Sequence, residues 1–250
     1  MKYKSIFVSD VHLGMKASRV EDFLDFLRHN DCETLYLVGD IIDGWAIDAR
    51  RWWPQTHNDV IQKLLRKARK GTKIVYVPGN HDEFLRDYLD DLPLTLGNIM
   101  ITNETIHYAI NGKKYLVIHG DKFDVVMQNI KWAAHVGSWA YDVSIWVNMM
   151  LNRIRNMFGL PHWSLSNFLK YKVKSAVNFI GKYEDILKEY ADHHKVQGII
   201  VGHIHHPNNR MIENIHYLNC GDWVENTSAI VEHYDGTWEL INYETEKTSH

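Results

Sequence analysis

Cysteine is scarce: Cys32 and Cys220 are the only two among 250 residues. Two thiols so far apart exclude a disulfide-dense secreted scaffold and fit free cysteines in a reducing compartment. An excess of positive charge is missing too. Lys plus Arg number 28 against 31 Asp plus Glu, a formal net charge of −3, whereas a bulk nucleic-acid binder would be strongly basic. No nucleic-acid partner is therefore expected. No apolar run approaches the roughly 18 residues of a membrane-spanning helix. The first ten residues hold three consecutive apolar ones, Ile6-Phe7-Val8, before a polar break, too few for a signal-peptide core. Internal repeats and low-complexity linkers are also lacking. These absences point to a cytoplasmic chain.

What is there reads as one α/β domain. A chain of this length buries a sizeable core without staples, and 45% hydrophobic with 24% charged residues is a globular composition. Apolar runs at Lys4–Ser9, Thr34–Val38 and Lys73–Val77 alternate with helical patterns at Arg19–His29 and Asn58–Lys70, the latter stopped by Gly71. Strand–helix–strand order predicts right-handed crossovers and a largely parallel sheet. Thr105–Ile110 and Lys113–Ile118 flank Asn111-Gly112, a two-residue hairpin signal. Tyr183–His194 reads as a helix, Gln197–Val201 as a strand, and Arg210–Tyr243 as antiparallel strands with a turn at Asp235-Gly236.

Residues 123–182 differ. Trp132, Trp139 and Trp146 recur every seven positions, giving a long helix an aromatic stripe, and Gly159-Leu160-Pro161 breaks it. A second helix is expected from near Ser164 or Ser166. Seven Lys or Arg against two Asp make this insert +5, leaving −8 for the remainder of a chain of net −3.

The 16 histidines are informative by position. Five apolar strands end in Asp10-Val11-His12, Gly39-Asp40, Gly79-Asn80-His81-Asp82, His119 and His203-Ile204-His205. Ligand crevices of α/β sheets lie outside the carboxyl ends of strands, so these tips converge on one place. On extended tips, Asp10 with His12 and His203 with His205 would each point to one side. Carboxylate, amide and imidazole suit Mn²⁺, with Fe²⁺ or Zn²⁺ as alternatives. Seven ligands exceed one ion's need, and two ions about 3.5–4 Å apart, bridged by one carboxylate, account for them. His29, His57, His107, His216 and His233 lack a spacing partner and read as core or surface. His193, His194 and His206 read as surface, and Cys220 as a small buried hydrophobe.

That ordered set resembles the calcineurin-like metallophosphoesterase superfamily. The stretches Gly39 to Trp45 and Asn219 to Glu225, with the helical insert after His119-Gly120-Asp121, look like its UDP-2,3-diacylglucosamine pyrophosphatase branch. The chain departs from that branch in having His81 where arginine is usual, and Lys122-Phe123-Asp124-Val125 where a Cys-Thr-Asp-Asp run is usual. The resemblance implies a four-layer α/β/β/α sandwich of two mixed sheets. It implies that Asp10, His12, Asp40 and His205 hold one ion and Asn80, His119 and His203 the other, with Asp40 bridging. His81, too close to Asn80 to be a ligand, would stabilise the phosphorus or protonate the leaving oxygen. Asp82 would orient its ring, and Asp43 would accept from a ligand histidine. The competing reading is that Asp43 and Asp82 only cap the following helices.

The implied reaction is hydrolysis of a pyrophosphate in a nucleotide-linked glycolipid, with peripheral contact at the cytoplasmic face of the inner membrane. The alternatives are a phosphodiesterase or phosphatase on a water-soluble substrate, and an inactive scaffold of the same fold. The insert is expected to be a lid whose apolar face receives acyl chains. Lys170 and Lys174, with Ser164, Ser166 and Asn167, are its candidate substrate contacts. The plainer reading is a helical hairpin packed on its own seam.

Overall fold

Period-two alternation sorts the first three strands into two layers. The computed structural model describes residues 2–89, 93–123, 183 and 185–244. Strands β1 (Lys2–Val8), β2 (Asp31–Val38) and β3 (Lys73–Val77) alternate with helices α1 (Val20–His29), α2 (Gly44–Arg50) and α3 (Gln55–Arg69). Further strands are β4 (Leu94–Leu96), β5 (Ile99–Ile101), β6 (Thr105–Tyr108), β7 (Lys114–Val117), β8 (Gly198–Val201), β9 (Asn208–Ile212), β10 (Ile215–Asn219), β11 (Ser228–Glu232) and β12 (Trp238–Asn242). Ile6, Val8, Leu35, Leu37, Ile74 and Tyr76 join Phe23 and Leu27 of α1 and Val60 and Leu64 of α3 in one core cluster. Their neighbours Phe7, Tyr36, Val38, Val75 and Val77 point the other way, onto Tyr115, Val117, Ile200 and Leu218. Burial on both faces is why these strands read as continuous apolar runs.

Two mixed sheets result. The first has seven strands in the order β12-β11-β1-β2-β3-β5-β4, and the second five in the order β6-β7-β8-β10-β9. β1, β2, β3 and β5 are parallel, as are β7, β8 and β10. The expected α/β architecture of two mixed sheets is what is found. Two local expectations need correction. The loop at Asn111-Gly112 has three residues, because Ala109 pairs with Lys113 and Gly112 takes φ of 79°, a left-handed position that glycine adopts at little cost. The sequence also shows no strand pattern between Asp82 and Thr105, where β4 and β5 form a short antiparallel pair. Three residues carry too little periodicity to register, and β4 is exposed throughout.

The chain divides into two compact units, Met1–Asp121 with Lys188–His250, and Lys122–Leu187. The tryptophan stripe, Ser164, Ser166, Asn167, Lys170 and Lys174 lie outside the described residues. Among the described residues no helix is long and apolar enough to cross a membrane.

One buried polar chain joins the sheets. Glu232 of β11, wholly buried, accepts from His107 Nε2 and Ile110 N at 2.8 Å each. The Tyr36 hydroxyl then donates to His107 Nδ1 at 3.0 Å, and Phe7 stacks on Tyr36 at 4.4 Å. His107 is thus a satisfied core histidine. Removing one member of such a pair leaves the other buried and unpaired. Glu232→Ala should therefore cost about 3–5 kcal/mol of unfolding free energy, by analogy with broken buried pairs, and Tyr36→Phe about 1 kcal/mol. Urea titration followed by tryptophan fluorescence reads both, and equal small effects would show that the network is not structural.

Candidate metal centre

Backbone hydrogen bonds continue past the strand ends and hold the five motif loops together. Asp10 N donates to Gly39 O at 3.0 Å and His12 N to Asp40 O at 2.9 Å, while Gly202 N donates to His119 O and Trp223 N to Asp10 O, both at 3.0 Å. The tips are not extended, and here the sequence reading needs correcting. Asp10, His12, Asp40, His203 and His205 have φ of 54°, 53°, 54°, 68° and 49°. Left-handed backbone is unfavourable for such residues and persists only where surroundings over-determine it. It turns the side chains inward, which alternation along a strand would not.

Each ligand candidate is then anchored through one polar atom. Asp10 Oδ2 accepts from His203 N at 3.0 Å, and Oδ1 is buried without a hydrogen-bond partner. His12 Nδ1 lies 3.2 Å from Asp43 Oδ2, and His119 Nδ1 lies 2.8 Å from the Val38 carbonyl. A carbonyl only accepts, so His119 Nδ1 carries the proton. In both rings Nε2 is buried and unbonded, as is Asn80 Oδ1. Asp40 Oδ1 accepts from His81 N at 2.8 Å, turning Oδ2 to within 3.3 Å of His119 Nε2. The two are close enough to attract, without hydrogen-bond geometry. His205 Nε2 lies 3.1 Å from Asp10 Oδ1.

Among the described residues three sets of atoms lie mutually within 4.8 Å: Asp10, His12 and His205; Asp40, His119 and His203; and His12, Asp43 and His81. The first two fall within the two expected ligand groups. Carboxylate, amide and imidazole atoms that are buried here without hydrogen-bond partners are of the types that hold divalent cations. No room is left for anything larger behind His119. A Cβ on Gly39 or Gly79 would overlap its ring.

Burial opposes the charge on Asp40, yet His119 and the His81 amide hold its carboxyl well below the usual range. Burial likewise opposes a charged His119, but Asp40, then Asp10, push its pKa up to about 10. His12 is shifted down, chiefly by burial, and His205 up, chiefly by Asp10.

Of the two expected helpers, Asp43 faces a ligand histidine as assigned, its Oδ2 3.2 Å from His12 Nδ1, and Asp82 does not stand where it was assigned. Asp43 lies against His81, its Oδ1 3.1 Å from the ring Nδ1, and also caps α2 by accepting from Ala46 N at 2.7 Å. Asp82 does not hold His81 and caps no helix with its side chain. It is wholly buried and accepts from Gly79 N and the Tyr76 hydroxyl at 2.5 Å each, and from Ile41 N at 2.9 Å. Its neighbourhood is backbone because the loop after β3 folds across the loop after β2. His81 Nε2 faces Asp40 Oδ2 at 4.0 Å, with Trp45 packed against its ring at 4.1 Å.

Several positioning residues escaped the sequence reading. His57 Nδ1 accepts from Gly14 N at 2.9 Å, fixing the loop that carries His12. Asp222 Oδ1 accepts from Val224 N and Glu225 N, and Asn226 Nδ2 donates to His205 O at 3.0 Å. The Gly221-Asp222-Trp223 run was the available signal for the latter, while His57 offered none.

The raised His119 pKa makes a signed prediction for the metal-free chain. Its contribution to stability is complete below the ordinary value of 6.5 and is lost as pH rises through about 10. A bound cation must displace the Nε2 proton, so uptake should release protons and strengthen as pH rises. Thermal unfolding from pH 6 to 10 should fall in chelator and flatten with Mn²⁺. Parallel curves would refute the assignment of His119 to the cation-binding face.

Comparison with known proteins agrees with this geometry. The family model for calcineurin-like phosphoesterases matches residues 3–207. The UDP-2,3-diacylglucosamine hydrolase of Porphyromonas gingivalis is 24% identical over 265 residues, covering 95% of this chain and 96% of that one. Its namesake from Marinobacter nauticus is 28% identical over 235 residues, covering 89% and 90%. The DNA polymerase II small subunit of Methanothermobacter thermautotrophicus is 24% identical over 164 residues, covering 54% of this chain and 34% of that protein. The family match begins in β1 and ends just beyond His205, taking in all five motif loops, and the chain belongs to the calcineurin-like phosphoesterase family.

Proposed function

We propose that this chain is a two-metal phosphohydrolase that cleaves the pyrophosphate of a nucleotide-linked amphiphile such as UDP-2,3-diacylglucosamine to UMP and lipid phosphate. The observation that carries the hydrolase reading is the set of unpaired buried atoms on Asp10, His12, Asn80 and His119. The lipid-linked substrate is supported by relatives of that name matching nearly end to end, where the polymerase subunit matches just over half of this chain.

In this reading Asp10, His12, Asp40 and His205 hold one divalent ion, and Asn80, His119 and His203 the other, with Asp40 shared. Mn²⁺ is the first choice, ahead of Fe²⁺ and Zn²⁺. When bound, the ions supply charge neutralisation at phosphorus and a water acidic enough to attack at neutral pH. The remaining tasks fall to the chain. Asp43 Oδ1 lies 3.1 Å from His81 Nδ1, an attraction without hydrogen-bond geometry, while His81 Nε2 faces the cluster and would protonate the leaving oxygen as its bond to phosphorus breaks. Asp82 keeps the backbone of Asp40, Ile41 and Gly79 in place. The insert acts as a lid: Lys170 and Lys174, with Ser164, Ser166 and Asn167, meet the phosphates, its tryptophan stripe meets acyl chains, and its excess cations favour an anionic membrane surface.

His81 stands where the lipid-pathway branch usually has arginine, and this favours one rival, a phosphodiesterase or phosphatase on a water-soluble substrate. Turnover of a monoester, a diester, a pyrophosphate and a lipid-linked pyrophosphate, read by phosphorus NMR with added Mn²⁺, separates the two. Preference for the lipid-linked pyrophosphate is expected, and preference for any soluble ester would overturn the substrate assignment. Absence of turnover on all four would support the inactive scaffold.

Two variants test the roles. His81→Ala should keep two metal ions per chain and lower kcat by about 10²–10⁴-fold, the usual worth of a general acid, with much less effect on a substrate whose leaving group is already acidic. Loss of metal would instead make His81 a ligand. Lys170→Ala with Lys174→Ala should raise KM for the lipid-linked pyrophosphate and spare a small chromogenic diester. Binding should also weaken steadily as acyl chains shorten, since each methylene contributes about 0.8 kcal/mol. A KM independent of chain length would leave the insert without a role in substrate binding.

A further inference from the structure

We infer that Arg86 and Asp121 form a clamp that fixes the spacing of the Asn80 and His119 loops and thereby sets the affinity of one ion site while leaving the other untouched. The inference rests on the two-ion reading above.

Asn80 follows β3, in the seven-stranded sheet, and His119 follows β7, in the five-stranded sheet. An ion held by both side chains therefore bridges two sheets, and its affinity depends on how well the sheets' ends are held in register there. His119 is already oriented against β2 by its bond to the Val38 carbonyl. That bond does nothing for Asn80.

The Asn80 loop is tied to the loop after β2 by His81 N and Asp82, and the clamp adds a direct link between the Asn80 and His119 loops. Arg86 lies in the 3-10 segment Glu83–Tyr88 that follows the Asn80 loop. Its Nη1 donates to Asp121 Oδ2 at 2.8 Å and its Nη2 to Asp121 Oδ1 at 2.9 Å. Nη2 also donates to the Pro78 carbonyl at 2.8 Å, two residues before Asn80. Asp121 lies two residues beyond His119. One guanidinium thus grips both loops, each two residues from a ligand candidate. An exposed ion pair would contribute little, but the Asp121 carboxylate is only 9% exposed, and the paired, planar geometry suits guanidinium and not ammonium. Among the described residues no hydrogen bond or ion pair joins Asp10, His12 or His205 to this pair, so their geometry should survive its loss.

The test is Mn²⁺ titration of the full chain by calorimetry and electron paramagnetic resonance, which distinguishes isolated Mn²⁺ from a coupled pair. Arg86→Ala and Asp121→Asn should each weaken the second ion by about 10–100-fold, the usual effect of losing a residue that supports a ligand, with the first ion unchanged. The coupled-pair signal should then need correspondingly more Mn²⁺. Arg86→Lys should fall between wild type and Arg86→Ala, and the double variant should be no worse than either single one, because both break one link. Asp121→Asn is isosteric, and its thermal unfolding in chelator checks that the fold survives. An unchanged second ion, equal weakening of both ions, or additive losses would overturn the clamp. Two ions bound by wild type without turnover of lipid-linked pyrophosphate would remove the substrate reading and leave the clamp to be judged on the titration. A single ion in wild type would remove the two-ion reading and the clamp with it.

Discussion

Asp10, His12 and His119 each commit one polar atom to the protein and keep the other buried and unpaired. An unsatisfied buried polar group costs about 1–3 kcal/mol, and native proteins keep few of them. Several gathered at one point describe a place where the fold is completed from outside. The anchored atoms matter as much as the unpaired ones. Because a backbone amide holds one oxygen of Asp10 and a carbonyl holds one nitrogen of His119, neither side chain can rotate to relieve its own deficit. The deficit is thereby fixed in direction as well as in size.

Keeping such a cluster open requires a scaffold that cannot relax, and Asp82 supplies much of it. This wholly buried carboxylate gathers the amides of Gly79 and Ile41 and the Tyr76 hydroxyl, so the loops after β2 and β3 share one acceptor. Burial raises its pKa against the pull of these donors. The same loops store strain in the left-handed backbone of Asp10, His12 and Asp40, of order 1–3 kcal/mol for each residue. A cation bound only by the folded chain offsets such costs by mass action. Strain, unpaired atoms and metal are in this sense one quantity seen three ways.

The sequence was most legible where a local pattern met its end. Apolar runs covered the central strands to within a few residues because those strands are buried on both faces, and polar residues at their tips stood out for the same reason. Identity and order of the ligand candidates could be read without any angle. Their backbone could not, since nothing in Asp10-Val11-His12 announces a left-handed turn. Asp82 departs from its assignment because it accepts from Gly79 N and the Tyr76 hydroxyl nearby and from Ile41 N of a different loop, partners invisible to any spacing rule. Arg86 failed for the same reason: its partner Asp121 lies far along the chain, in the other sheet's connection. β4 and β5 are too short to show a period. The residues that carry chemistry lie next to strand ends and are legible, whereas those that hold them meet only in three dimensions.

Charge links the metal reading to the substrate reading in one direction only. Asp10, Asp40 and Asp43 lie in the ligand clusters of a chain whose charge outside the insert is net −8, and carboxylates repel a phosphate. Coulomb repulsion between like charges in a partly buried site is far stronger than in water. A phosphorylated substrate can approach only once cations have reversed the sign of that surface, so hydrolysis at this place demands the ions. The ions demand no particular leaving group. Their ligands are complete whether the phosphoryl group carries a glycolipid, a nucleotide or a simple alcohol. Selection among these must come from groups beside the ligand candidates, such as His81 with Trp45 against it. On the proposed reading the departure at His81 falls among the groups that would choose a substrate, while every ligand candidate is kept.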